Sequence, residues 1–193
     1  MHVRVTLIAA AVSLSMAAAA CQSAPSPDGE NAGVSETKFT VAEGHRHFAA
    51  ATNSEVWVLL EKPDRTPAED ERMVHAAHAS CYHWLEAGTA VHHQRGEWLI
   101  ARVYAELGRG ADALRHAGRC MEITRAYPSD MADFDIAYAH EALARAHSLC
   151  GDTAEARHYK ALAEEAAKAI VDPEDRAYFL SDLRAGVGGT GDE

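Results

Sequence analysis

Two stretches of this chain, 43 residues apart, align with each other without a gap. Residues 104–117 read YAELGRGADALRHA and residues 147–160 read HSLCGDTAEARHYK, so that Gly108 falls on Gly151. In each copy one helical segment ends at the glycine and another begins soon after it, which is typical of a helix–turn–helix unit. Such a unit, repeated at a fixed period, predicts stacked helical hairpins that bury one another's apolar faces.

Helical periodicity extends along the chain from Phe39 onward. Ile100, Val103 and Tyr104 form one apolar stripe at the spacing of a helix face, and the prolines lie outside such segments. The sequence therefore predicts an all-α protein. Seven helices are expected, at about residues 40–61, 66–87, 92–107, 111–126, 130–149, 152–170 and from 172 onward.

Several helix ends carry capping residues. Thr66, followed by Pro67 and Glu69, has the pattern of a capping box with proline in the first turn. Gly88 is predicted to end its helix in the left-handed conformation, and Gly151 to end the fifth helix. Because the turns are short, consecutive helices should be antiparallel, giving three hairpins and a seventh, capping helix.

The spacing of Tyr104, Gly108 and Ala113 resembles the tetratricopeptide repeat (TPR), although the period here is 43 residues rather than about 34. The segments RGEWLIARVYAELGR, DFDIAYAHEALARAH and EDRAYFLSDL also resemble a family of short bacterial TPR-like helical-repeat proteins of unassigned function. This resemblance covers residues 41–185. It implies a TPR-like hairpin stack and no particular reaction.

The N-terminus has the layout of an export signal. A basic start that includes Arg4 precedes an apolar run over residues 5–20, shorter than the roughly 20 residues of a membrane-spanning helix. The sequence Ala-Ala-Ala-Cys that ends at Cys21 resembles a bacterial lipobox, which implies that Cys21 is lipidated. Ala18 departs from the leucine usual in that motif. The alternative is ordinary secretion with cleavage near Ala20.

These features divide the chain into four parts. Residues 1–20 are predicted to be a signal peptide, and residues 21–38 a flexible tether rich in small and polar residues. Residues 39–185 form the TPR-like helical domain and residues 186–193 a disordered tail. We expect an exported lipoprotein, anchored to a membrane and facing the periplasm or the cell exterior; the alternative is a secreted soluble protein.

The formal net charge of −11 argues against a nucleic-acid-binding protein. Such proteins need clustered Lys and Arg side chains to displace the counterions of phosphate groups. The sequence has no serine or cysteine in a glycine-flanked elbow and no glycine-rich phosphate loop. We expect no catalytic residues and no cofactor.

Some histidines are spaced as metal ligands are on a helix. His75 and His78 are three residues apart, His93 and Glu97 four, and each pair can give two ligands to one ion. No HExxH motif is present, and no spacing fixes a third ligand. These four residues are the candidates for an alternative function, a periplasmic His-rich protein that binds a metal or a small molecule.

Three cysteines follow Cys21, and each lies in an apolar-periodic helical segment. One disulfide among Cys81, Cys120 and Cys150 is possible outside the cytoplasm. The simpler expectation is that all three are small buried apolar residues.

The candidate binding site is the inner groove of the predicted stack, which the first helix of each hairpin would line. Its arginines suit carboxylates, and its tryptophans and tyrosine offer rigid contact area. We expect a locally cationic, aromatic groove that binds a protein or peptide partner without catalysis. The predicted groove residues are Asn53, Trp57, Arg95, Trp98, Arg102, Tyr138, Glu141 and Arg145.

A purely structural role for the same residues is the alternative. Arg145 can pair with Glu141 one helical turn away, and Arg102 with Asp133 or Asp135 across the helix interface. In that case Trp98 would fill the core between hairpins.

Overall fold

Seven α-helices make up most of residues 38–187, the part of the chain that the computed structural model describes. No β-strand occurs in that part, so the prediction of an all-α protein is confirmed. The predicted signal peptide, Cys21, the predicted tether up to residue 37 and residues 188–193 lie outside the described residues. The helices are α1 (Val41–Leu60), α2 (Pro67–Ala87), α3 (Ala90–Glu106), α4 (Gly110–Ala126), α5 (Asp133–Leu149), α6 (Thr153–Ala166) and α7 (Pro173–Val187), with a 3₁₀ turn at Ala167–Ala169.

The two aligned turns share one backbone geometry. Gly108 and Gly151 both have positive φ, 69° and 78°. The amide after each glycine donates a hydrogen bond to the carbonyl five residues earlier, from Arg109 to Tyr104 at 2.8 Å and from Asp152 to His147 at 3.0 Å. This is the pattern of a glycine-terminated helix, and it recurs at the period of the sequence alignment.

Capping boxes begin the first two helices. At α2, the amide of Glu69 donates to Thr66 Oγ1 at 3.3 Å, and the amide of Thr66 donates to Glu69 Oε2 at 2.9 Å. Thr40 and Glu43 form the same reciprocal pair at α1. Each box satisfies amides that lack a partner within the helix, and losing such a cap costs about 1 kcal/mol.

Consecutive helices pack together along the chain. The most extensive contacts join α1 to α2, α3 to α4 and α5 to α6, while α7 lies against α5 and α6. The largest fully buried side chains include Met73, Ile100, Phe179 and Leu183. Burying one such side chain stabilises the fold by roughly 1.5–3 kcal/mol. Because two of the four belong to α7, the last helix is part of the core.

Gly88 does not end α2 in the left-handed conformation, so that prediction is wrong. Its φ of −100° and ψ of −170° are extended. A Cβ at this position would lie 2.6 Å from the carbonyl oxygen of Trp84 and 2.7 Å from His92 Cβ. Glycine is needed here because two helix ends approach closely across a very short turn.

Three helix boundaries differ from the predicted ones. α5 begins at Asp133 rather than near residue 130, because the Asp135 carboxylate accepts a hydrogen bond from the amide of Ala132 at 2.9 Å. The predicted helix 152–170 tightens into a 3₁₀ turn over its last residues. α7 continues through residues that the sequence assigned to the tail and ends at Val187, whose side chain is buried.

None of the helices within residues 38–187 combines the length and the apolar character needed to cross a membrane.

Candidate binding site

Two repeat-equivalent arginines of the predicted groove bind one carboxylate. Arg102 on α3 and Arg145 on α5 are separated by the 43-residue period of the aligned turns. Arg102 Nη1 lies 3.0 Å from both carboxylate oxygens of Asp182, and Arg145 Nη2 lies 3.4 Å from Asp182 Oδ1. Since Asp182 belongs to α7, the C-terminal helix supplies the anion that the sequence analysis assigned to a partner.

Glu141 adds a second carboxylate to this cluster. Arg145 Nε donates to Glu141 Oε1 at 2.6 Å, which is the pair expected for a structural role. Burial raises the pKa of Glu141 above its usual range. The expected pairing of Arg102 with Asp133 or Asp135 is wrong, because Arg102 reaches Asp182, which is 80 residues away in sequence.

Apolar and small residues of α7 close this region further. The ring of Phe179, fully buried, meets the ring of Tyr138 edge-on, with the centroids 4.8 Å apart. A Cβ on Gly186 would lie 2.1 Å from Arg145 Cζ, so the helix approaches the guanidinium as closely as its backbone permits. We call Arg102, Glu141 and Arg145, together with the α7 residues over them, the closed part of the groove.

A small pocket lies between α3 and α5. It encloses about 220 Å³, including the open space at its mouth. The ring of Trp57, half-buried on α1, stacks on Trp98 with the centroids 6.1 Å apart. Asn53 is half-buried one helical turn before Trp57. The pocket, with Asn53 and Trp57, is called the pocket part; its lining residues are Gln94, Arg95, Trp98, Phe134, Asp135 and Tyr138.

Arg95 is held in place at this pocket. It donates from Nε and Nη2 to the two Asp135 oxygens, at 2.8 and 3.0 Å. Its guanidinium also lies 5.0 Å from the ring centroid of Phe134. The positive charge of Arg95 is therefore compensated within the chain, and the pocket is polar at one wall without being cationic.

Three pocket-lining residues carry buried polar atoms without a hydrogen-bond partner among the described residues. These atoms are Gln94 Oε1, Trp98 Nε1 and the hydroxyl oxygen of Tyr138. Burial also raises the pKa of Tyr138, which keeps its hydroxyl protonated as a donor. An unsatisfied buried group costs roughly 1–3 kcal/mol, so these three atoms reduce the stability of this region.

The predicted groove residues therefore come together in two groups rather than in one open channel. Arg95, Trp98 and Tyr138 line the pocket, with Trp57 stacked on Trp98. The residues that meet under α7 are Arg102, Glu141 and Arg145. The expectation of a locally cationic groove is wrong, because all three arginines are paired with carboxylates of the chain.

The histidines proposed as metal ligands do not converge. His78 Nε2 lies 2.9 Å from the Tyr104 hydroxyl, and His93 Nε2 donates to the carbonyl of Trp84 at 3.1 Å. Glu97 binds another residue, His116, and His75 is exposed. Within residues 38–187 no group of three His, Cys, Asp or Glu side chains is arranged to hold a metal ion.

Two functional features escaped the sequence analysis. Asp182 was assigned only to a capping helix, and nothing in its local pattern marks it as the partner of two arginines. The other is a partly buried pair on α3 and α4, in which His116 Nδ1 lies 2.7 Å from Glu97 Oε2. These two residues are 19 positions apart on different helices, so no helical spacing reveals them.

The three cysteines of the described chain are not bonded to one another. Cys81 and Cys120 are buried, as expected, and burial raises the pKa of Cys81 to about 12. Cys150 is exposed, contrary to the expectation, because it caps the end of α5 beside the Gly151 turn.

No family model matches this chain, and no curated protein or solved structure matches it either.

Proposed function

We propose that this protein is a non-catalytic, TPR-like module that binds a peptide segment of another protein through the pocket part. The observation that supports this most is the pocket itself, where the partly accessible Trp57 stacks on Trp98 beside an aromatic-lined recess. Rigid aromatic side chains are the usual anchors of protein interfaces. The TPR-like assignment draws its support from the two equivalent glycine turns.

The size and polarity of the pocket favour a peptide side chain over a small-molecule ligand. The free space inside it is only about 10 Å³, about enough for one water molecule, so it cannot enclose a small-molecule ligand. The Arg95–Asp135 pair leaves the wall without a net charge, so an apolar or aromatic side chain fits better than a charged one.

A photo-crosslinking amino acid placed at Asn53 in the full-length protein tests this proposal in cells. Asn53 lies one helical turn before Trp57 and does not line the pocket, and circular dichroism checks that the variant is folded. The expected result is a discrete adduct, identified by mass spectrometry, that weakens when Trp57→Ala is added. The matched control carries the crosslinker at the exposed Arg119 on α4. An adduct of equal yield from Arg119, or none from either site, would overturn the proposal.

We also propose that lipidation of Cys21 tethers the protein to a bacterial membrane, as the lipobox-like sequence implies. Cys21→Ala should move the protein from the membrane fraction to the soluble fraction, and the mass of the wild type should include acyl chains. A wild-type protein that is already soluble, or that retains residues 1–20, contradicts this.

A further inference from the structure

Exposed rings gather where the chain enters the fold. Phe39 is 44% exposed, Phe48 51% and Tyr82 56%, although large apolar side chains of this kind are usually buried. Three histidines at the start of α1 and the end of α2 join them. We call this surface the N-terminal patch; its members are Phe39, His45, His47, Phe48, Tyr82 and His83.

The rings of the patch form one continuous surface. Phe39 stacks on His47 with centroids 4.9 Å apart, and Phe48 lies 5.6 Å from His83. His45 and His83 face each other with their Nδ1 atoms 3.0 Å apart. Tyr82 lies against both of these histidines, at 6.3 and 5.5 Å. The patch therefore spans both helices of the first hairpin, and it is distinct from the pocket part.

The charge around the patch differs from that of the whole chain. The chain carries a net charge of −11, whereas residues 38–48 and 79–88, which carry the patch, contain Lys38 and Arg46 against Glu43 and Glu86 and have no net charge. The ring nitrogens of the histidines can also donate hydrogen bonds to phosphate. An acidic protein thus presents, at this end, an aromatic surface without the net negative charge of the rest of the chain.

The patch is also the part of the described structure nearest in sequence to Cys21. The chain that precedes the described residues joins the fold at Lys38, next to Phe39. If Cys21 is lipidated, as proposed above, this end of the first hairpin is the one closest along the chain to the bilayer. Aromatic rings with polar edges and basic side chains are the groups that settle at a membrane–water interface.

We propose that the N-terminal patch lies against the headgroups of an anionic membrane. Phe39 and Phe48 enter the interfacial region, and Arg46 and the histidines meet lipid phosphates. The anchoring geometry rests on the proposed lipidation of Cys21, but the affinity of the patch for anionic lipid does not. A second copy of the chain is the competing occupant, since an exposed apolar surface also suits a dimer.

Vesicle co-sedimentation tests the proposal. A chain of residues 22–193 lacks the apolar leader and Cys21 but keeps all the core residues of the described part of the chain. It should bind vesicles of phosphatidylglycerol and phosphatidylcholine more tightly than vesicles of phosphatidylcholine alone. Phe39→Ser with Phe48→Ser should weaken that binding about tenfold, as expected when two half-exposed rings are removed.

The matched control changes two exposed apolar residues outside the patch, Val58→Ser with Val171→Ser, and should bind as the wild type does. Helical circular dichroism confirms that each variant is folded. Equal loss in both double variants, or no preference for anionic vesicles, would overturn the proposal. A dimer in sedimentation velocity that disappears only in the Phe39, Phe48 variant would assign the patch to a second copy instead. Neither result bears on crosslinking at Asn53, so the peptide-binding proposal stands or falls separately.

Discussion

The closed part and the pocket part of the groove contain similar residues, but one part is covered by a helix and the other is open. In the closed part, Arg102 and Arg145 meet Asp182, and the helix that carries this carboxylate covers them. In the pocket part, Arg95 meets Asp135 from the neighbouring helix, and a recess lined by Trp98 stays open. Each arginine is paired with a carboxylate of the chain, but only the pocket part keeps an open recess.

This difference shows that residue type and spacing alone do not make a binding surface. Arg102 and Arg145 occupy equivalent repeat positions, yet both pair with Asp182 of the chain's own last helix. What separates the two parts is the reach of α7, which packs on α5 and α6 and sends Asp182 across to α3. We therefore expect mutations in the closed part to affect stability and mutations in the pocket part to affect binding.

The largest effect is expected from Phe179→Ala. Phe179 is fully buried against Tyr138, so truncation leaves a cavity and should lower the free energy of unfolding by about 3–5 kcal/mol. Urea denaturation followed by circular dichroism measures the loss. Tyr178→Ala, on the exposed side of the same helix, should cost much less. Equal losses would mean that α7 is an appended helix and the closed part is not closed.

Asp182→Ala should have the second-largest effect and lower the free energy of unfolding by roughly 2–3 kcal/mol. The substitution leaves two partly buried guanidinium groups without their shared carboxylate. The same urea experiment applies. The control is Glu122→Ala, which breaks an exposed ion pair with Arg119 and should cost less than about 1 kcal/mol. An Asp182→Ala loss no larger than that of the control would show that the closed part depends on apolar contacts alone.

Replacing two helical glycines by alanine should change the stability of the protein in opposite directions. Gly118→Ala on α4 meets no atom within 4 Å and should stabilise the protein by about 0.5–1 kcal/mol, since alanine favours the helix. Gly186→Ala must displace the Arg145 guanidinium, which Glu141 and Asp182 hold, and should destabilise by about 1 kcal/mol. Thermal melts distinguish the two. Stabilisation by Gly186→Ala would contradict the close contact between α7 and Arg145.

Acidification should have the smallest effect and should not distinguish the two parts. Burial lowers the pKa values of His78, His92 and His140 below 6.5 in the folded protein. Their contribution to stability is therefore complete above the unfolded pKa of about 6.5 and is lost as the pH falls through the lower folded values. The urea concentration at the unfolding midpoint should decrease as the pH is lowered from 7.5 to 5.5. The decrease should be smaller when all three histidines are changed to Gln. An unchanged midpoint in the wild type would contradict this.

Much of the fold was predictable because its determinants are local. The capping box at Thr66 and the glycine turns at Gly108 and Gly151 depend on residues within one or two helical turns, and all three are present. Gly88 was misassigned because its small size serves an approach between Trp84 and His92, on two different helices. A sequence pattern reports the presence of glycine but not which neighbour requires it.

The site was predictable only in part, because some of its contacts join helices that are far apart in sequence. Helical spacing placed Arg95 and Trp98 on one face correctly, and the pocket forms there. The pairing of Arg102 with Asp182 spans 80 residues, and its existence depends on how α7 packs. No periodicity within α3 or α7 carries that information, so the division into two parts emerges only in three dimensions.

Crosslinking from two positions of the same chain tests this division directly. One full-length variant carries the photo-crosslinking amino acid at Asn53, in the pocket part, and another at Tyr178, half-exposed on the helix that closes the other part. We expect a discrete partner adduct from position 53 and none from position 178. An adduct from position 178 with none from position 53 would show that the partner binds over α7, and would contradict the assignment of the pocket part as the binding site.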